Sequence, residues 1–306
     1  MKSAVVTACR SHPSALRYKQ INVYDEVMKK TLLIALLSFT LTLVAAAPAF
    51  AAPANSPPRL GIDISWPQCN KSVPKDQAFG IVGVNGGLAS NTNSCLSTQL
   101  QWAHRSVGGT QQPRAQLYVN TANPGEIIDQ VTTWPKNNVD PAGRTAPNPY
   151  GTCDGTNTLA CSWQYGWNRA VEAAYDRFKP AAQKVAVDSN AANYIWWLDV
   201  ETENTWQSGS SAALARNAAT LEGMTALYHS VGAKVGLYST ALQWGQIVGT
   251  VSTSSNLNGL INWRPGGANL TTAKDACKAA PLTAGGKVVM TQFIQKNLDY
   301  NYSCIL

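Results

Sequence analysis

Charged residues are scarce in this chain, at 13% of its 306 residues, and the positive excess is not gathered into a basic run. Residues 1–51 carry six Lys or Arg and two acids, so residues 52–306, with 18 basic and 15 acidic side chains, are nearly balanced. No nucleic-acid partner is therefore predicted. With only 23 Gly and 16 Pro the chain is not collagen-like, and ten Trp with 45% hydrophobic residues exclude a disordered protein.

Several catalytic and binding motifs are also missing. No GxGxxG follows the first predicted strand, and no Walker loop or GxSxG motif occurs. No CxxC is present, and only His104 and His229 lie beyond residue 51, so neither a zinc site nor any cofactor is predicted. Both histidines fall within predicted helices, which weakens a Ser–His–Asp mechanism.

The amino-terminal segment has the pattern of a secretory signal peptide. Residues 28–30 (MKK) form a short positive region, residues 31–47 form an apolar run, and residues 49–51 (AFA) form a small-x-small cleavage pattern. An uncleaved anchor helix is the alternative, because the run could nearly span a bilayer. Pro48 and the Ala-rich exit favour cleavage.

The predicted domain organisation follows from this segment. Residues 1–27 have no signal character and are predicted not to belong to the native product, since Met28 suits a start site. Residues 28–51 are the signal peptide, residues 52–59 a Pro-rich linker, and residues 60–306 a single domain. The product is expected to be a secreted, extracellular monomer with no membrane association after cleavage.

Six cysteines lie beyond the leader, and an even number in an exported chain indicates disulfides. Six cysteines allow 15 connectivities. Pairing nearest neighbours in sequence predicts three bonds: Cys69–Cys95, Cys153–Cys161 and Cys277–Cys304.

Short apolar runs alternate with helix-like stretches along the mature chain, which favours a parallel sheet with crossover helices. The predicted strands are residues 60–64, 79–84, 115–119, 194–200, 234–238, 260–263 and 287–293. The predicted helices are residues 97–105, 125–131, 166–180, 210–229 and 242–249. Seven or eight such units in about 250 residues predict an α/β fold with a single (β/α)8-type barrel. Residues 134–163, rich in Pro, Asn, Gly and Thr, are predicted to form an ordered flap loop beside the barrel mouth.

Acidic residues follow the predicted strands, where the chemistry of such barrels is found. Asp63 ends the first strand, and Asp199, Glu201 and Glu203 alternate at the end of the fourth. Side chains two residues apart share a face of an extended strand, so these carboxyls are expected to point the same way. Acids at strand ends also cap helices or bind Arg, and for any one of these acids such a structural role is about as common as a catalytic role. Three acids alternating directly after an apolar strand are harder to explain in that way.

Converging carboxylates raise the pKa of at least one of the group, which yields a protonated acid beside ionised partners. Glycosidic cleavage needs that combination. Glu201 is the candidate proton donor, and Asp199 and Asp63 are candidates for stabilising positive charge on the sugar or orienting its substituents.

Aromatic residues supply a second clue. Trp66, Trp206 and Trp263 follow predicted strands, where they can offer flat faces to sugar rings, although most of the other Trp residues are expected to be core. Trp66 and Trp206 are favoured for the site. The predicted substrate-binding residues are Asp299, Asn301, Trp66, Trp206, Tyr118, Tyr238 and Gln292.

An ordered set of short motifs resembles glycoside hydrolase family 25 lysozymes. These motifs are residues 61–65 (GIDIS) with Gln68, residues 198–201 (LDVE), residues 236–240 (GLYST), and Gln292-Phe293 with residues 298–301 (LDYN). The resemblance implies a flattened lysozyme-like barrel that hydrolyses the β-1,4 bond between N-acetylmuramic acid and N-acetylglucosamine. By that resemblance Glu201 is the general acid, while Asp199, Asp63 and Asp299 orient or stabilise the acetamido group, which can itself act as nucleophile.

The chain departs from the family pattern in the ends of its second and third strands, in its cysteines and in the insertion at residues 134–163. These departures indicate a divergent, secreted branch. The predicted function is a hydrolase of cell-wall glycan. Two alternatives remain open: a non-catalytic glycan-binding module on a degenerate barrel, and a structural protein of the cell surface.

Overall fold

Eight strands hydrogen-bond in chain order and close into a barrel in the computed structural model, which describes residues 59–305. The leader, the predicted signal peptide and linker residues 52–58 lie outside the described residues. The strands are β1 (Gly61–Ile64), β2 (Gly80–Gly83), β3 (Ala115–Asn120), β4 (Ile195–Asp199), β5 (Lys234–Tyr238), β6 (Ile261–Pro265), β7 (Lys287–Gln295) and β8 (Leu298–Ser303).

Six α-helices accompany the strands in the described part of the chain. They are α1 (Leu96–His104), α2 (Leu159–Val171), α3 (Lys179–Lys184), α4 (Ser211–Ser230), α5 (Ala241–Ile247) and α6 (Leu270–Ala276). A π-helical segment, Glu172–Phe178, joins α2 to α3, and Gly125–Gln130 is 3-10 rather than α-helical. None of the helices in this part is long and apolar enough to cross a bilayer.

The barrel is mixed, which corrects the prediction of a uniform (β/α)8 barrel. Strands β1 to β7 run parallel, but β8 is antiparallel to both β7 and β1. Only Lys296 and Asn297 separate β7 from β8, both with positive φ, at 52° and 59°. Such a two-residue connection can join only antiparallel strands, because a parallel neighbour needs a crossover of a dozen or more residues.

Side-chain alternation along β4 divides the core into two layers. Trp196 and Leu198 pack outward among the helices, while Trp197 packs inside the barrel with residues of the other strands. Asp199 continues the inward series and therefore points into the barrel at the carboxyl end of β4. This alternation is what places a carboxyl at the barrel mouth.

All three predicted disulfides are present: Cys69–Cys95, Cys153–Cys161 and Cys277–Cys304. The segment predicted as a flap at the barrel mouth is ordered. Its Asn157 exchanges hydrogen bonds with Gln207 in the loop after β4, at 3.0 and 2.9 Å, and other parts of it lie against the helices. Tyr150 donates a hydrogen bond to Glu222 of α4 at 2.6 Å, and Trp167 of α2 donates to Asp140 at 3.3 Å. These parts of the segment therefore cover the outer helices, because their polar side chains find their partners there.

Candidate active site

The carboxyl ends of the parallel strands meet around a cavity of about 260 Å³. Every strand except β2 contributes a residue from its end or from the turn beyond it, and β8 contributes Asp299 from near its start because it runs the opposite way. The lining residues are Asp63, Tyr118, Asp199, Glu201, Tyr238, Trp263, Gln292 and Asp299. The cavity is slightly smaller than the range of about 300–1,000 Å³ typical of sites for drug-sized ligands.

Asp63 is held by two amide donors that come from far along the chain. Its Oδ1 accepts hydrogen bonds from Asn301 Nδ2 at 2.7 Å and from Gln292 Nε2 at 3.1 Å. Burial and the nearby charge of Asp299 raise the pKa of Asp63, while the two amide hydrogen bonds oppose that rise. The clamp fixes the orientation of the Asp63 carboxyl within the cavity.

The orientation of Gln292 is fixed in turn by Tyr238. The Tyr238 hydroxyl donates to Gln292 Oε1 at 2.7 Å, which leaves the Gln292 amide nitrogen to donate to Asp63. Trp263 packs against Tyr238 with ring centroids 4.4 Å apart and against Tyr118 at 6.4 Å. These three rings make an aromatic wall beside the carboxyls.

Asp199 and Glu201 form a coupled pair of acids. Burial raises the pKa of Asp199 first, and the charges of Glu201 and Asp63 raise it further. Burial raises the pKa of Glu201 first and the charge of Glu203 raises it further, whereas the interaction with the Asp199 carboxyl lowers it. Glu201 is half-buried while Asp199 is 6% exposed, so Glu201 is the member of the pair that is more open to the cavity.

Asp299 completes the set of four carboxyl groups, and burial raises its pKa as well. Glu203, expected to share the face of Asp199 and Glu201, is exposed in the turn after β4 and does not line the cavity. The strand ends at Asp199, so the two-residue alternation does not extend to position 203.

The two Trp residues favoured from the sequence do not line the cavity, while Trp263 does. Trp206 packs against the core between barrel and helices, and its indole nitrogen donates to the Glu201 backbone oxygen at 2.9 Å. Trp66 is 51% exposed, in a 3-10 turn directly after β1. Asn301 is fully buried and reaches the cavity only through Asp63.

The amide clamp and the aromatic wall went unrecognised in the sequence. Gln292 and Asn301 were identified, but their common acceptor Asp63 lies more than 200 positions away, and no local pattern reports such a pairing. Trp263 lies within β6 and packs inside the barrel, whereas Trp66 begins the 3-10 turn that follows β1. Within residues 59–305, no group of three or more His, Cys, Asp or Glu is arranged to hold a metal ion.

Comparisons with known proteins give two similarities. A family model described as lysozyme-like protein 1 matches residues 167–273, about a third of the chain, which includes Asp199 and Glu201 but not Asp63 or Asp299. The structure of a muramidase from Trichobolus zukalii is similar at a TM-score of 0.44 and 14% sequence identity, over 80% of this chain and 92% of that one. No curated protein matches the chain in sequence. The family-model match supports a lysozyme-like glycoside hydrolase.

Proposed function

We propose that this protein is a secreted muramidase-like hydrolase that cleaves glycosidic bonds of cell-wall glycan, with Glu201 as its general acid. The observation that carries this proposal is the cavity lined by four carboxyl groups whose pKa values are all raised. A site of this kind holds a protonated acid next to carboxylates near neutral pH, which is what cleavage of a glycosidic bond requires.

The geometry distributes the roles as follows. Glu201 is the more accessible of the two neighbouring acids, so it delivers its proton to the leaving-group oxygen as the glycosidic bond breaks and is left as a carboxylate. Asp199 stabilises positive charge on the sugar or orients its substituents. Asp63, oriented by Gln292 and Asn301, faces the positive charge that develops on the sugar ring or holds its acetamido group. Asp299, the register partner of Asp63 across β1 and β8, adds a second carboxyl to the same face of the pair.

The aromatic residues of the cavity serve substrate binding in this proposal. Tyr118, Tyr238 and Trp263 line the cavity together, and Trp263 packs against both tyrosine rings. Sugar rings combine apolar C–H faces with polar edges, and a wall that pairs aromatic rings with carboxyl and amide groups complements both.

Export and assembly belong to the same proposal. Three disulfides suit an oxidising compartment outside the cytoplasm, in agreement with the signal-peptide pattern of residues 28–51. The protein acts there as a monomer. By its resemblance to glycoside hydrolase family 25, the proposed target is the bond between N-acetylmuramic acid and N-acetylglucosamine.

The alternative, a glycan-binding module without catalysis, is favoured by the end of β2. Asn85 there is fully occupied by backbone groups, since its Nδ2 donates to the Ala89 oxygen at 2.9 Å and its Oδ1 accepts from the Asn120 nitrogen at 3.0 Å. This strand end therefore brings no acid to the cavity.

Incubation of the purified protein with insoluble peptidoglycan separates the two functions. Hydrolysis predicts a steady release of new reducing ends and soluble fragments, with mass spectra identifying the sugar at each new end. Retention on the peptidoglycan without any product would establish the binding module instead. Both proposals would be refuted if the protein released no product and was not retained on the peptidoglycan.

A further inference from the structure

Trp66 is unlike the other tryptophans of the chain. All ten lie within the described residues, and Trp66 is the only one that is mostly exposed, at 51%, since the others are buried or half-buried. A large apolar ring left in water loses the roughly 1.5–3 kcal/mol that burial of a large side chain provides. Its exposure therefore calls for a role outside the core.

The turn that carries Trp66 is rigid. Ser65 donates its backbone N–H to Gln68 Oε1 at 3.0 Å, and Gln99 of α1 donates to the Ser65 oxygen at 2.7 Å. Pro67 restricts the backbone within the turn, and Cys69 at its end is bonded to Cys95 beside α1. Because the ring is already fixed in place, a ligand that stacks on it loses little conformational freedom on binding.

The indole lies on a glycine that leaves room for it. A Cβ atom at Gly87 would stand 2.6 Å from Trp66 Nε1, so any side chain there would displace the ring. Gly87 also has a φ of +93°, which favours glycine, and its carbonyl accepts from Asn120 Nδ2 at 3.2 Å. Leu88, the residue after Gly87, is also exposed, at 49%, and we call Trp66 together with Leu88 the apolar platform.

The platform adjoins the cavity. Trp66 is three residues beyond Asp63. The preceding Ser65 and the cavity-lining Tyr118 both flank Gly83, since Ser65 Cβ and the Tyr118 hydroxyl oxygen each lie 2.7 Å from the position of a Cβ atom there. A cavity of about 260 Å³ is too small for a polymer of several sugars, so a glycan chain bound there must continue across the rim.

We propose that Trp66, with Leu88 beside it, is a stacking subsite for a sugar ring of the same glycan chain whose neighbouring ring occupies the cavity. The inference rests on the proposed function, and it makes the preferred substrate a chain of several sugars. The aromatic face meets the apolar C–H face of the sugar, so stacking requires no charge and leaves the chemistry at Glu201 unaffected.

The test compares Trp66→Ala and Trp66→Phe with Val107→Ala, a control that truncates a 48% exposed side chain between α1 and β3, at the opposite end of the barrel. On soluble peptidoglycan strands, Trp66→Ala is expected to raise KM about tenfold, equivalent to about 1.4 kcal/mol, with kcat unchanged. Trp66→Phe should recover most of the loss. An aryl glycoside of a single N-acetylglucosamine, which reaches only the cavity, should give the same kcat/KM in all variants.

A binding measurement tests the subsite independently of the proposed reaction. In the Glu201→Gln background, retention on insoluble peptidoglycan is measured for the same Trp66 and Val107 variants, so the comparison works even if the parent releases no product. Weaker retention of Trp66→Ala alone supports the subsite. Equal affinity of Trp66→Ala and its parent, or an equal loss in Val107→Ala, overturns it, and an unchanged melting temperature shows that each variant is folded.

Discussion

Replacing Glu201 with Gln tests the assignment of the general acid most directly. The substitution keeps the size of the side chain and its ability to hydrogen-bond with Asp199, but it removes the proton that the leaving group needs. The backbone oxygen of residue 201, which accepts from the Trp206 indole nitrogen, is unaffected. The variant should therefore fold like the parent.

The expected loss follows from the role. General acid catalysis contributes about 10²–10⁴ in rate, or roughly 2.7–5.4 kcal/mol of barrier. Asp199 cannot replace Glu201, because it lies deeper and is 6% exposed. Removing one of four mutually repelling carboxyls should leave the free energy of unfolding unchanged or slightly higher, since the pKa of each is raised at this site.

Release of reducing ends from peptidoglycan measures the effect, with Glu203→Gln as the matched control. Glu203 is exposed and does not line the cavity, but its charge raises the pKa of Glu201. Its substitution should therefore leave the maximal kcat nearly unchanged and move the alkaline limit of activity to lower pH. A dinitrophenyl glycoside, whose leaving group needs no proton, should be cleaved by Glu201→Gln at close to the parental rate. Full activity of Glu201→Gln on peptidoglycan, or an equal loss in Glu203→Gln, would refute the assignment.

Four further substitutions test the supports of the site and the fold. Trp206→Phe keeps an aromatic ring in place but loses the hydrogen bond to the Glu201 backbone oxygen. Urea unfolding should show a free energy of unfolding lower by about 1 kcal/mol, and kcat should fall. An unchanged kcat would contradict a role of Trp206 in positioning Glu201. Burial and neighbouring charge raise the pKa of Asp199, so its contribution to stability is complete below about pH 4 and is lost as pH rises through the folded-state pKa. The melting temperature of Asp199→Asn relative to the parent should therefore rise between pH 4 and 8, and a constant difference would count against that pKa. Gly166→Ala would place a Cβ 1.8 Å from a backbone oxygen of α4 and should lower the free energy of unfolding by about 3 kcal/mol or more. Gly245→Ala, with nothing within 4 Å of the new Cβ, should raise the free energy of unfolding by roughly 0.5–1 kcal/mol. Similar denaturation midpoints for the two variants would contradict the close contact at Gly166.

Local patterns in the sequence were sufficient to predict most of the strands. The seven apolar runs correspond to β1 through β7, with ends that differ by no more than a few residues, because strands buried on both faces are continuously apolar. Helix starts were predicted less well. Helix α2 begins at Leu159, well before the predicted residue 166, because Thr158 caps it by accepting from the Cys161 nitrogen. Helix α6, at seven residues, is too short to show a clear period and was not predicted.

The direction of the last strand could not be derived from periodicity. Strand β8 reads as an extended segment in either direction, and the two-residue turn at Lys296 and Asn297 decides that it runs antiparallel. That reversal brings Asp299 opposite Asp63, so the register of a hairpin decides how close two of the four carboxyls come.

The sequence by itself determined which residue types could do chemistry here: alternating acids after a buried strand, paired cysteines, and no metal-binding or nucleophile motif. Those features involve residues close together in the chain, and local backbone geometry decides how such residues are arranged. Only the tertiary structure decided that Gln292 and Asn301 orient Asp63 and that Trp263, rather than Trp66 or Trp206, lines the cavity. Barrel closure brings together residues more than 200 positions apart, and no local sequence pattern predicts such a contact.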